Sequence, residues 1–137
     1  MKTFVDTNIL VYAYDRGAGA KHQKARQQLE TLWVERSGAL SIQVLQEFYV
    51  NIRRKALNPV SIDQARALIS DYMVWNPVIN DGSLLLSALD CEARFKVSFW
   101  DSMILAAAER SGAGILLSED FNHGQAYGDL LVHNPFV

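Results

Sequence analysis

Apolar and polar positions follow two periods along the chain, and the changes from one to the other divide it into elements. Thr3-Phe4-Val5 is a short β-prone run that stops at Asp6, and the apolar mixture from Asn8 to Tyr14 suits a short buried helix. Gly17-Ala18-Gly19 breaks the chain. From Lys21 to Arg36, Ala25, Leu29, Leu32 and Trp33 recur at helical intervals with charges between them, which predicts a long amphipathic helix. Gly38 to Ser41 is long enough for a second strand. Ile42 to Lys55 then carries Leu45, Phe48, Tyr49 and Ile52 at helical spacing, and Asn58-Pro59 ends that helix.

Ser61 stands three residues before Gln64, the capping-box spacing, and opens a helix through Ala65, Leu68, Ile69 and Tyr72. Val74 to Ile79 reads as a strand that Pro77 confines to a sheet edge, or as a loop. Leu84, Leu85, Ala88 and Leu89 predict a helix from Asp81 to Phe95 with a core-facing stripe, and Ser98 or Asp101 starts the next, which runs to Arg110 and closes at Ser111-Gly112. Ile115-Leu116-Leu117 is the apolar run of a strand buried on both faces. Strands alternating with helices predict an α/β fold, a three-layer sandwich whose mostly parallel central sheet is flanked by helices.

Composition narrows the classes. The 137 residues, 50% hydrophobic and 20% charged, suffice for one packed core, so a single domain over residues 1–137 is expected. Thirteen Lys and Arg against fifteen Asp and Glu give a net charge of −2, which excludes a protein that coats nucleic acid by bulk positive charge. Cys91 has no cysteine partner and reads as a small buried hydrophobe in a reducing compartment. An acid at position 6 precludes a signal peptide, and no window approaches the roughly 18 to 20 apolar residues of a membrane helix, so a cytoplasmic protein is expected.

Most of the acids read as solvated helix faces, but four stand out. Asp6 and Asp120 each follow a short apolar strand, and in a parallel α/β sheet ligands bind at the carboxyl ends of strands. Taken singly, Asp6 or Asn8 also reads as a helix cap and Asp120 as the start of a turn. Glu47 lies between Val44 and Val50 on its helix, an apolar setting for a charge. Asp101 heads a helix face made of Ile104, Leu105 and Ala108, although Ser98-Phe99-Trp100-Asp101 also has capping-box spacing. Two unit charges about 4 Å apart repel by about 4 kcal/mol at an effective dielectric of about 20, so four gathered carboxylates need a shared cation. Oxygen donors without His or Cys point to Mg²⁺ or Mn²⁺ rather than Zn²⁺. His22, His123 and His133 are not spaced as metal ligands and read as ordinary surface or loop residues.

In order, Val5-Asp6-Thr7-Asn8-Ile9-Leu10, Gln46-Glu47-Phe48, Phe99-Trp100-Asp101-Ser102 and Leu117-Ser118-Glu119-Asp120-Phe121 resemble the PIN domain family, of the bacterial toxin (VapC-like) type, over essentially the whole chain. The resemblance implies a Mg²⁺-dependent endoribonuclease, the toxin of a type II toxin–antitoxin pair, held inactive by a cognate antitoxin and dimeric. Its four acids fall on Asp6, Glu47, Asp101 and Asp120, as catalytic and metal-binding residues, with Glu119 competing for the fourth place. Thr7, Asn8 and Ser118 match polar positions beside the metal site.

RNA attraction is then expected from the cation and from Arg53, Arg54 and Lys55 at the end of the Glu47 helix, or from Lys21, Lys24 and Arg26. With four acids neutralised by metal, eleven face thirteen bases. Two other classes fit less well. A phospho-aspartyl phosphotransferase or phosphatase also places acids at strand ends with Mg²⁺, but its dehalogenase type requires a second Asp where Asn8 stands. A non-catalytic interaction module would use the Leu84–Leu89 stripe and the three Trp as an interface, positions that read first as core.

Overall fold

The computed structural model describes residues 1–54 and 59–137. Strand β1 (Lys2–Val5) leads directly into helix α1 (Thr7–Tyr14), and a 3₁₀ turn at Arg16–Ala18 ends on Gly19, whose φ of 65° lets the chain reverse into α2 (Ala20–Glu35). Then come β2 (Gly38–Ala39), α3 (Ile42–Arg54), α4 (Ile62–Tyr72), α5 (Gly82–Phe95), α6 (Phe99–Arg110), β3 (Ala113–Leu117), β4 (Ala126–Tyr127) and β5 (Leu130–His133). The α4 start is a complete capping box: Ser61 accepts from the Gln64 N–H, and Gln64 accepts from the Ser61 N–H.

The five strands lie in the order β2-β1-β3-β5-β4, all parallel except β4, and helices flank the sheet, as the alternating pattern predicts. From β1 the chain winds through α1 and α2 to β2 on one side, while β3 lies on the other. The strand order therefore reverses at β1, and the carboxyl ends of β1 and β3 open a crevice between diverging connections. The Val5↔Leu117 register sets Asp6 beside Ser118, fixed by the bond from the Asp6 N–H to the Leu117 carbonyl at 3.0 Å. Phe4, Val5, Leu116 and Leu117 are fully enclosed between helices, and with Ile9, Leu10, Val44, Phe48 and Ile104 they form the core beneath that crevice.

Three expectations are corrected. Of the two readings of Val74–Ile79, the edge strand fails and the loop holds: Met73–Trp75 is a 3₁₀ turn, and only Val78 pairs, with Ser41, in an isolated bridge. The reason is tertiary, because Trp75 packs against Trp33 and Tyr72 at centroid distances of 5.0 and 4.9 Å and covers Gly38. The α5 stripe is split: Leu84 and Ala88 are buried with Cys91, whereas Leu85, Leu86 and Leu89 are exposed. Two strands, β4 and β5, were not anticipated. Their signal is Gly128-Asp129 between Tyr127 and Leu130, a two-residue hairpin loop whose glycine takes φ 62°. Lys55 and Asn58, assigned to the end of the α3 helix, lie outside the described residues.

Candidate active site

Asp6 occupies the N-cap of α1 with extended backbone, φ −73° and ψ 158°. A dedicated cap accepts from the second or third helical N–H, but Asp6 reaches only the adjacent Thr7 N–H, at 2.8 Å through Oδ1. Its Oδ2 accepts the Ser118 hydroxyl at 2.8 Å, across the sheet. Asp6 is 5% exposed and, among the described residues, has no cationic partner. Burial pushes its carboxyl up to about 6; the bonds from Ser118 and Thr7 oppose the rise, and the charges of Asp120 and Glu47 add to it.

The other acids approach from separate elements. Ser118, buried at the end of β3, donates to Asp6 and accepts the Asp120 N–H at 3.0 Å, so one hydroxyl spans both strand-end acids. Asn8, in the first turn of α1, donates to Asp120 Oδ2 at 2.9 Å. Partial burial raises the Asp120 carboxyl, with Glu119 and Asp101 adding to the effect and Asn8 opposing it. Asp101 stands in the first turn of α6, where Ser98 accepts its N–H at 3.1 Å. Only that half of the capping box forms, so the Asp101 carboxylate is not consumed as a cap.

Glu47 corrects an expectation. Its flanking valines suggest a buried unpaired charge, but Glu47 is exposed and Val50 beside it is 43% exposed, because this face of α3 turns from the core to the open crevice. The carboxylate is held by polar neighbours: Gln43 donates to Glu47 at 3.1 Å, and Asn80 donates to Gln43 at 3.3 Å. Gln43 and Asn80 escaped the sequence reading. Gln43 was legible as the residue four before Glu47 on one helix face, whereas Asn80 is brought in only by the tertiary fold.

Asp6, Glu47, Asp101 and Asp120 are thus electrostatic neighbours around one crevice. Among the described residues, no three acids, histidines or cysteines converge into a ready-made metal cage. The donor chemistry nevertheless fits a hard divalent ion: it is all oxygen, it centres on a desolvated carboxylate, and the Thr7 hydroxyl beside Asp6 is buried without a hydrogen-bond partner.

The remaining polar candidates separate. Glu119 does not turn toward Asp6; it is engaged by Lys21 at 2.9 Å and by Tyr12. Arg26 pairs with Glu30 at 3.2 Å, the Arg53 guanidinium lies 6.0 Å from the centre of the Tyr49 ring, Lys24 and Arg54 are exposed, and Lys55 lies outside the described residues. The histidines have other partners: His22 pairs with the Tyr12 carbonyl, His123 accepts the Asn134 N–H, and the His123 and His133 rings lie 5.3 Å apart. A cavity of about 740 Å³ between α1, α2 and α4, lined by Tyr14, Leu29, Trp33 and Leu68, includes none of the four acids.

Fold and site together define an α/β protein with an acidic crevice at the topological switch point of a parallel sheet. More particularly, the chain belongs to the PIN domain family, whose pattern matches residues 3–128. Two solved structures share the fold. Mycobacterium tuberculosis VapC20, a sarcin-ricin-loop-cleaving toxin, is 19% identical with a TM-score of 0.59, over 84% of this chain and 87% of that one. VapBC2 from Rickettsia felis, bound to a DNA fragment from its promoter, is 16% identical with a TM-score of 0.64, over 98% of each chain. No curated protein sequence matches the chain. Among the described residues, no helix is long and apolar enough to cross a membrane.

Proposed function

We propose that this PIN domain is a Mg²⁺-dependent endoribonuclease, folded as one unit over residues 1–137, and the toxin of a type II toxin–antitoxin pair. The observation that carries the reading is the buried carboxylate of Asp6 at the switch point, with Glu47 and Asp120 as its electrostatic neighbours and Asp101 as a neighbour of Asp120. Asp6 and Asp101 are the principal ligands of this reading, and Glu47 and Asp120 complete the set. Mn²⁺, equally an oxygen-seeking ion, is an acceptable substitute. The chemistry such a cation supplies when bound is charge stabilisation on a phosphate and a more acidic water.

The protein's own groups prepare that site. Ser118 and the Thr7 N–H hold the two oxygens of Asp6 in a fixed orientation. Asn8 holds one oxygen of Asp120, and Gln43 one of Glu47. Asn8 as a donor to an acid also removes the second nucleophile-type Asp that a phospho-aspartyl enzyme requires. Arg53 and Arg54 continue α3 beyond Glu47 and offer contacts to an RNA backbone. Likeness to VapC20 and VapBC2 supports a toxin fold with a protein antitoxin, and the reading extends to a cytoplasmic homodimer.

The test is cleavage of structured RNA by the purified chain with and without Mg²⁺. Cleavage requiring Mg²⁺ and lost by at least about 100-fold in Asp6→Asn and Asp101→Asn, with circular dichroism unchanged, is the expected result. Full activity in both variants overturns the reading.

A further inference from the structure

Glu119 and Asp120 are adjacent, yet the chain sends their carboxylates to different partners. Asp120 accepts from Asn8 on α1. Glu119 accepts from the Tyr12 hydroxyl, one helical turn further along the same helix, and through Oε2 from the Lys21 ammonium of α2 at 2.9 Å. The Lys21 ammonium also lies 5.1 Å from the centre of the Tyr12 ring and 5.3 Å from that of Phe136, and those two rings meet edge to face at 5.5 Å. His22 pairs with the Tyr12 carbonyl at 2.9 Å and ties α2 to α1 at the same level. An exposed ion pair alone does little, but here the Glu119 side chain is only 18% exposed, takes two donors, and its cation rests on two aromatic rings.

We infer that Tyr12, Lys21 and Phe136 form a clamp on Glu119 that positions Asp120 at the crevice and keeps the neighbouring carboxylate out of it. The inference rests on the reading of the crevice as a cation site and adds positioning residues that touch neither cation nor RNA. Two consecutive acids at a strand end are otherwise interchangeable: either can turn inward, and both together add a like charge beside Asp6 and Asp101. Neutralising Glu119 with Lys21, one turn from the Asn8 contact, leaves a single orientation of the pair. Lys21 acts through Glu119 rather than by contacting RNA phosphates.

The test is calorimetric titration of the full chain with Mg²⁺ alone, with amide hydrogen exchange over residues 118–122 as a second readout. Lys21→Met and Tyr12→Phe are expected to weaken Mg²⁺ binding by about tenfold and to speed exchange over 118–122, while Lys21→Arg restores both. In a Glu119→Ala background, Lys21→Met is expected to change nothing further, because its route is already cut. Unchanged affinity in Lys21→Met, or an equal loss in both backgrounds, overturns the clamp. Tyr12→Phe removes one hydroxyl and carries the test if Lys21→Met does not fold. Should the wild type bind no Mg²⁺, the metal-dependent reading fails, and exchange alone decides the clamp: acceleration in Lys21→Met and Tyr12→Phe upholds it, and unchanged rates refute it.

Discussion

On the proposed reading, Asp6 answers two opposed demands with one side chain. A carboxylate at a buried strand end must stay ionised to bind a cation, yet burial favours its neutral form and lifts its pKa to about 6. Ser118 and Thr7 only partly offset that rise. In the metal-free protein the folded state holds the Asp6 proton more tightly than the unfolded chain, whose carboxyl keeps the ordinary value of 3.8. The sign follows from that order. Asp6 costs stability above about pH 6, the cost fades as pH falls toward about 4, and over about two pH units it amounts to about 3 kcal/mol. A cation must displace the same proton, so apparent Mg²⁺ affinity is expected to fall roughly tenfold per pH unit below about 6. Titrating Mg²⁺ at pH 5, 6 and 7 checks this; an affinity that does not move with pH would show that Asp6 is not a ligand.

Local patterns in the elements carry most of the fold, and tertiary contacts decide where the patterns fail. The α4 capping box and the β1 and β3 runs were legible because each is specified within a few residues. Asp6, Asp101 and Asp120 stood out in the sequence as oddities of placement and Ser118 as a polar position beside them, but the bridge that Ser118 makes between Asp6 and the Asp120 backbone came only with the fold. The setting of Glu47 was not, because a helical pattern does not say that one face borders a crevice. Nor was the 3₁₀ turn at Trp75, whose conformation depends on a cluster assembled from α2 and α4. That cluster gives an element-scale prediction at Gly38 of β2, where an added Cβ stands 2.3 Å from the Trp75 ring. Gly38→Ala is expected to destabilise the protein by about 1–3 kcal/mol in urea denaturation, and by clearly less in a Trp75→Leu background. Equal costs in both backgrounds would place the strain elsewhere than at this contact.

At the scale of the whole molecule, a net charge of −2 conceals an uneven distribution. Four acids around one crevice repel one another, and the core under Phe4, Val5 and Leu117 holds Asp6 and Asp120 at their strand ends against that repulsion. Whatever neutralises the crevice therefore stabilises the fold as a whole, by an amount set by the ratio of ligand concentration to its dissociation constant. At about 100 times that constant the gain is about 2.7 kcal/mol, or roughly 8 °C in the melting temperature of a chain of this size. Simple screening of the same repulsion would also raise the melting temperature, but NaCl of matched ionic strength reproduces screening and not coordination. Mg²⁺ is therefore expected to raise the wild-type melting temperature well beyond matched NaCl. In Asp101→Asn, with one proposed ligand gone and the affinity about tenfold weaker, the shift is expected to fall by about half. Equal Mg²⁺ shifts in the two proteins, or a wild-type shift no larger than that of NaCl, would mean that the acids are merely screened and that no single ion joins them.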